Sequence, residues 1–124
     1  MTFTAEGAEA VIRRYYQLVD AGDLALLDTF HADATYKRPG YPEFRGHEEL
    51  REFYSGERVI DSGRHTLNQV FVNDARIAVE GRFTGILKDG RSVELPFSDF
   101  FDLQQRGDQL RIAARRTYFD DQQV

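Results

Sequence analysis

The sequence predicts an α+β fold in which one sheet curls around helices packed on its inner face. Two observations carry this. Apolar residues recur every three or four positions up to about Tyr54, and from Arg58 onward they alternate with polar ones. A third concerns connectivity: the alternating runs are separated by the short turn sequences Asn73-Asp74, Lys88-Asp89-Gly90 and Arg106-Gly107-Asp108, which imply antiparallel neighbours. At 124 residues the chain is expected to form one domain, 1–124, with room for a substantial core.

Thr4 is placed to cap a helix from Ala5, and Gly22 to stop it after Ala21. Ala8, Val11, Ile12, Tyr15, Leu18 and Val19 form its apolar stripe, so Tyr15 carries a phenol inward with Tyr16 beside it. Asp23 can cap a short second helix, Leu24 to Phe30, with Leu24, Leu27 and Phe30 inward. His31-Ala32-Asp33 breaks the pattern, Ala34 to Lys37 reads as a short strand ended by Arg38-Pro39-Gly40, and Tyr41 to Arg45 reads as a loop. A third helix is expected over Glu48 to Tyr54, with Leu50, Phe53 and Tyr54 buried. Strands follow at Arg64 to Val72, Arg76 to Leu87, Arg91 to Leu103 and Leu110 to Phe119, and the tail Asp120 to Val124 should fray.

Composition narrows the function. Without cysteine there is no disulfide, thiol nucleophile or thiolate metal site. Sixteen Lys and Arg against 21 Asp and Glu give a net charge of -5 with no basic run, which argues against nucleic acid. The first residues lack the features of a signal peptide, and no apolar run has the length of a membrane span, so a cytoplasmic protein with no membrane partner is expected. The histidines are scattered and no glycine-rich phosphate loop occurs, so neither metal nor cofactor is expected. Ten Phe and six Tyr suit an aromatic-lined cavity for a small apolar ligand as well as they suit an ordinary core.

One strand carries the chemical question. Leu95, Phe97, Phe101 and Leu103 share a period-2 face, and the same parity puts Asp99 among them. A carboxylate there either holds a partner or stays protonated. His65 opens a strand face shared with Leu67, Gln69 and Phe71 and is the candidate general base, whereas His31 and His47 sit at helix boundaries as structural or exposed groups. Glu80, Arg82 and Thr84 read as an outer polar face, and Arg111, Arg115 and Arg116 are placed to pair across strands with Glu80, Glu94 or Asp102. Phe100 points away from Asp99, toward the convex side of the sheet.

The segments Arg14-Tyr15-Tyr16-Gln17-Leu18-Val19-Asp20-Ala21-Gly22-Asp23, Ala32-Asp33-Ala34-Thr35 and Phe44-Arg45-Gly46-His47-Glu48-Glu49-Leu50 are similar to the N-terminal half of bacterial ketosteroid isomerases. Val79 to Gly85, Phe97-Ser98-Asp99-Phe100-Phe101 and Arg116-Thr117-Tyr118-Phe119 resemble the SnoaL-like branch of the same superfamily, which also contains nuclear transport factor 2. The resemblance implies a cone-shaped, bent antiparallel or mixed sheet closed by three helices around one deep pocket. It also implies an oxyanion pair, with Tyr15 and a protonated Asp99 donating to an enolate oxygen. The family's base does not carry over, because its position is Arg38, a guanidinium that cannot accept a proton. Arg38 could pair with Asp99 or hold a carboxylate or enolate oxygen, leaving His65 as base. Phe30, Tyr36, Tyr54, Phe83, Phe97 and Phe101 complete the expected ligand wall. The implied function is a cofactor-free isomerase or polyketide-cyclase-like enzyme; the alternatives are a non-catalytic small-molecule binder or a dimeric interaction module. Dimerisation through the convex face is implied as well, consistent with Phe100 there.

Overall fold

The computed structural model describes residues 4–120 and 124. Helix α1 (Ala5–Asp20) starts where the Thr4 hydroxyl accepts the Gly7 N–H at 3.0 Å and ends before Gly22, whose φ of 67° suits a residue without Cβ. A 3₁₀ turn (Leu24–Thr29) leads into β1 (Phe30–Lys37), β2 (Phe44–Arg45), α2 (Gly46–Glu52) and a wider π turn (Phe53–Glu57). The long strands β3 (Ile60–Asn73), β4 (Arg76–Leu87), β5 (Ser92–Arg106) and β6 (Gln109–Tyr118) complete the chain.

The six strands form one sheet in the order β2-β1-β6-β5-β4-β3. β3 to β6 are an antiparallel meander, and β1 joins β6 in parallel, so the sheet is mixed. It curves around α1, whose Ala8, Ile12, Tyr15, Tyr16 and Val19 are buried in one core with Ile77, Val79, Phe101 and Ile112. Among the described residues no helix is long and apolar enough to cross a membrane.

Bare backbone shapes the inner face of β3 and β4. Gly63 and Gly85 pair across the two strands, and the ring of Phe83 lies over both. A Cβ on Gly63 would sit 2.3 Å from Phe83 Cζ, and one on Gly85 2.6 Å from it, so neither position has room for a side chain while Phe83 stays. The glycine floor thereby seats Phe83 beside His65, their ring centroids 4.9 Å apart.

Several expectations are corrected. β1 begins at Phe30, so His31-Ala32-Asp33 belongs to the strand; a register shift against β6 between Phe30 and Thr35 disguises its alternation. Phe44 and Arg45 pair with β1 where a loop was expected. With three residues per 3₁₀ turn, Leu26 points inward and Leu24 outward. The third helix starts earlier, and its expected last residues lie in the π turn. Val124 is 1% exposed rather than frayed, whereas residues 121–123 of that expectation lie outside the described residues.

Candidate functional site

The inner face of β5 presents Phe97, Asp99 and Phe101 to the core, as the parity required. Asp99 is fully buried and holds a partner: Arg115 on β6 donates from Nη2 to Oδ2 at 2.8 Å. The Tyr16 hydroxyl also donates to Oδ2, and the Thr117 hydroxyl donates to Oδ1 at 2.5 Å. Both oxygens of Asp99 therefore act as acceptors, and the donor role implied by the resemblance is not the arrangement found.

Arg115 is the hub. Its Nη1 donates to the Tyr15 hydroxyl at 2.5 Å and to the Tyr54 hydroxyl at 3.2 Å, and its guanidinium lies 4.5 Å from the ring centre of Tyr36. Burial pulls the pKa of Arg115 down, but Asp99 and the phenols of Tyr15, Tyr36 and Tyr54 outweigh it and raise the value well above normal. Burial raises the phenols of Tyr15, Tyr16 and Tyr54, and Asp99 pushes Tyr16 further. Tyr15 itself does not reach Asp99; its neighbour Tyr16 does.

In front of this hub lies a nearly filled cavity enclosing about 30 Å³ of free space, room for a water molecule. Tyr36, Arg38, His65, Phe83 and Phe97 line it, together with Ile60, Leu95, Arg115, Thr117, Phe119 and Val124. Phe30, Tyr54, Phe101 and Tyr15 form the layer behind Arg115 and do not line the cavity. The deep pocket implied by the resemblance is thus closed down by aromatic rings and Val124.

His65 is held at two points by the last residue of α1. Its Nδ1 lies 2.6 Å from Asp20 Oδ1, and its main-chain N–H donates to Oδ2 at 2.9 Å. The ring packs among Tyr16, Phe83 and Phe97. His31 and His47 bind main-chain oxygens of Gln104 and Phe30 at 2.8 and 2.9 Å, as structural groups. Arg38 does not meet Asp99; it donates to the Tyr36 hydroxyl at 3.1 Å and to the main-chain oxygen of Val124 at 2.7 Å. Among the described residues no cluster of three or more His, Cys, Asp or Glu could hold a metal.

Sequence reasoning missed Arg115, Thr117, Tyr16 and Asp20. Arg115 was expected to pair across strands with Glu80, Glu94 or Asp102; an extra residue, Ala113, between the pairs Leu103 with Ile112 and Asp102 with Ala114 flips the phase and turns it inward to Asp99. Asp20 had a usable signal, since it follows Tyr16 by four positions on the same helical face.

Solved structures share this architecture. An NTF2-like protein of unknown function from Burkholderia pseudomallei K96243 matches over 91% of this chain and 90% of its own, with a TM-score of 0.79 at 21% identity. SalBIII, an epoxide hydrolase/cyclase-like enzyme of pyran ring formation in the polyether salinomycin, matches over 93% and 92% with a TM-score of 0.79 at 17% identity. TerC, co-crystallised with polyporic acid, matches over 91% of both chains with a TM-score of 0.77 at 18% identity. The sequence profile of the SnoaL-like domain covers residues 12–113, and with the curved mixed sheet around α1, this chain belongs to the SnoaL-like domain family.

Proposed function

We propose that this protein is a cofactor-free enzyme of isomerase or cyclase type, a single cytoplasmic domain that binds one small, largely apolar molecule and works through an enolate. The observation that carries the reading is the His65–Asp20 contact of 2.6 Å beside a cavity walled by Phe83, Leu95 and Phe97. With Nδ1–H donating to Asp20, the lone pair of the neutral ring is at Nε2. A C–H bond next to a ligand carbonyl breaks, its proton goes to Nε2, and its electron pair moves through carbon onto the carbonyl oxygen. Return of that proton to a different carbon completes an isomerisation; alternatively the enolate carbon attacks a second carbonyl, whose π electrons move onto its oxygen, and the proton on Nε2 goes to that alkoxide as the ring closes.

Arg115 and Thr117 line the same cavity, and the buried Nε of Arg115 has no acceptor, so this guanidinium is a ready donor to the enolate oxygen. Asp99 and Tyr15 then act as positioning residues that hold Arg115, and Arg38, Tyr36 and Phe97 contact the ligand. SalBIII, a cyclase-like enzyme, and TerC, co-crystallised with polyporic acid, support this reading by likeness of fold. A second reading, a non-catalytic binder of the same kind of ligand, is favoured by Arg38, a guanidinium that cannot accept a proton, standing where the resemblance puts the family's base. Either form is proposed to dimerise through the convex face, where Phe71, Phe100 and Tyr118 are exposed; the register shift between Leu67 and Gln69 turns Gln69 and Phe71 away from the face of His65 on which the alternation had put them.

The test is exchange of the α-protons of 2-tetralone and related aryl ketones in D₂O, followed by NMR. Wild type should accelerate it, His65→Gln should lose roughly 10²- to 10⁴-fold, and Asp20→Asn should fall between. Equal exchange by wild type and His65→Gln would refute the role of His65; exchange by neither, with ligand binding intact, would select the binder.

A further inference from the structure

We propose that the ligand reaches His65 through the open cleft between α1 and β3, and that this cleft holds the ligand's non-reacting part, a tail carrying hydrogen-bond acceptors. This rests on reading His65 as the group that meets the ligand.

Two spaces meet at His65. The enclosed cavity in front of Arg115 has about 30 Å³ free, whereas the cleft between α1 and β3 has about 550 Å³, within the roughly 300–1,000 Å³ of small-molecule sites. Among the described residues His65 is the one that lines both. Its partner Asp20 lines the cleft and not the cavity, and the two side chains are 13% and 23% exposed. Another hollow, an outer groove along β4, β5 and the end of β6, shares Phe97 and Phe119 with the cavity but contains neither His65 nor Asp20. A molecule arriving from solvent therefore meets the imidazole from the side of α1 and β3.

The helical wall of the cleft says what the tail carries. Arg13, Tyr16, Gln17 and Asp20 recur at three and four positions, so they share one face of α1, opposite the stretch of β3 around His65. Both oxygens of Asp20 are engaged by His65, and the Tyr16 hydroxyl donates away to Asp99. Donors remain: Arg13 spends only its Nε, on Glu9 at 2.8 Å, and the side-chain amide of Gln17 has no partner among the described residues. A tail with carbonyl or ether oxygens satisfies these N–H groups, whereas an alkyl tail would cover them and return nothing. The match requires no charge on the ligand.

The chain has no cysteine, so one introduced thiol can be blocked selectively. Gln17→Cys carrying N-pyrenylmaleimide should slow the carbethoxylation of His65 by diethyl pyrocarbonate by an order of magnitude, read by peptide mass spectrometry. The same label on Thr84→Cys, an exposed position of β4, should leave that rate unchanged. No modification of His65 in wild type, or an equal rate with the cleft blocked, would overturn the route. For the tail, binding of ethyl levulinate is compared by NMR with that of 2-octanone, a ketone chain of the same length without the ester. Arg13→Leu/Gln17→Leu, two exposed positions of α1, should weaken ethyl levulinate by about fivefold or more and change 2-octanone little. Equal effects on the two probes, or no binding of the ester by wild type, would overturn the tail. Neither measurement depends on turnover: if both hold and wild type exchanges no α-protons, only the catalytic role of His65 fails.

Discussion

Removing the guanidinium of Arg115 while leaving Asp99 is the perturbation most directly sized by the structure. Asp99 is fully inaccessible, and Arg115 Nη2 is its charged partner at 2.8 Å. In Arg115→Met the carboxylate keeps its bonds from Tyr16 and Thr117 but faces no compensating charge. Breaking one side of such a pair costs about 3–5 kcal/mol, whereas replacing both partners with neutral groups of similar size is often close to neutral. Tyr15 and Tyr54 soften the loss little, since their hydroxyls already bond each other at 2.5 Å. For a chain of this length each kcal/mol moves Tm by roughly 3–5 °C, so Arg115→Met should melt about 10–20 °C lower. The double variant Asp99→Asn/Arg115→Met should recover most of that, with a coupling of about 2–4 kcal/mol in a urea-unfolding cycle. A single-variant cost below about 1 kcal/mol, or a double variant that costs the sum of the singles, would refute the description of Asp99 and Arg115 as a buried ion pair.

Three further outcomes are expected. The raised phenols of Tyr15, Tyr16 and Tyr54 stay protonated in the folded state when the unfolded chain, with pKa near 10, has lost those protons. Folding stability is therefore unaffected by them below about pH 10 and falls above it, by about 4 kcal/mol per pH unit for three groups. Tyrosinate absorbance should show these phenols appearing only with alkaline unfolding; smooth titration of all six tyrosines in the folded protein would contradict it. Gly63→Ala, which drives a methyl into the Phe83 ring, should cost about 1–3 kcal/mol by denaturant unfolding, and the Gly63→Ala/Phe83→Leu pair should recover part of it. Phe100→Asp, on an exposed face where Phe100 meets Tyr118 at 5.7 Å, should halve the mass seen by light scattering while leaving the melt of the fold in place. An unchanged mass would refute the proposed convex-face dimer.

Residue patterns reveal the fold well and the site unevenly, and the division has a physical cause. On β5 the alternation runs unbroken through Phe97, Asp99 and Phe101, so the buried carboxylate was legible from parity alone. On β6 the same rule fails at one residue: Ala113 adds a step, and Arg115 and Thr117 arrive inside where alternation from Ile112 would put Ala114 and Arg116. A bulge leaves no mark in composition, so the partner of Asp99 was hidden while Asp99 was plain. Tyr15 and Tyr16 were both visible on α1, but which hydroxyl reaches the carboxylate depends on helix rotation that a stripe of apolar residues leaves open. The Asp20–His65 contact spans 45 positions and joins a helix end to a strand, a juxtaposition created only by closing the sheet on α1. Val124 follows no periodic segment, and nothing in the neighbouring sequence signals its burial.

The carboxylate of Asp20 has a structural consequence apart from the proton transfer proposed above. Among the described residues β3 is the outermost strand of the sheet on its side, and its far edge presents main-chain groups that no other strand pairs with. Long exposed edges invite pairing with another chain, and proteins guard them. Here the guard is the end of α1: Asp20 takes the main-chain N–H of His65 at 2.9 Å, removing one donor from the open edge. Asp20→Ala would uncover it. Such a variant should therefore show a second phenotype besides any loss of activity, a concentration-dependent tendency to self-associate through β3 that Asp20→Asn, which keeps an acceptor, largely avoids.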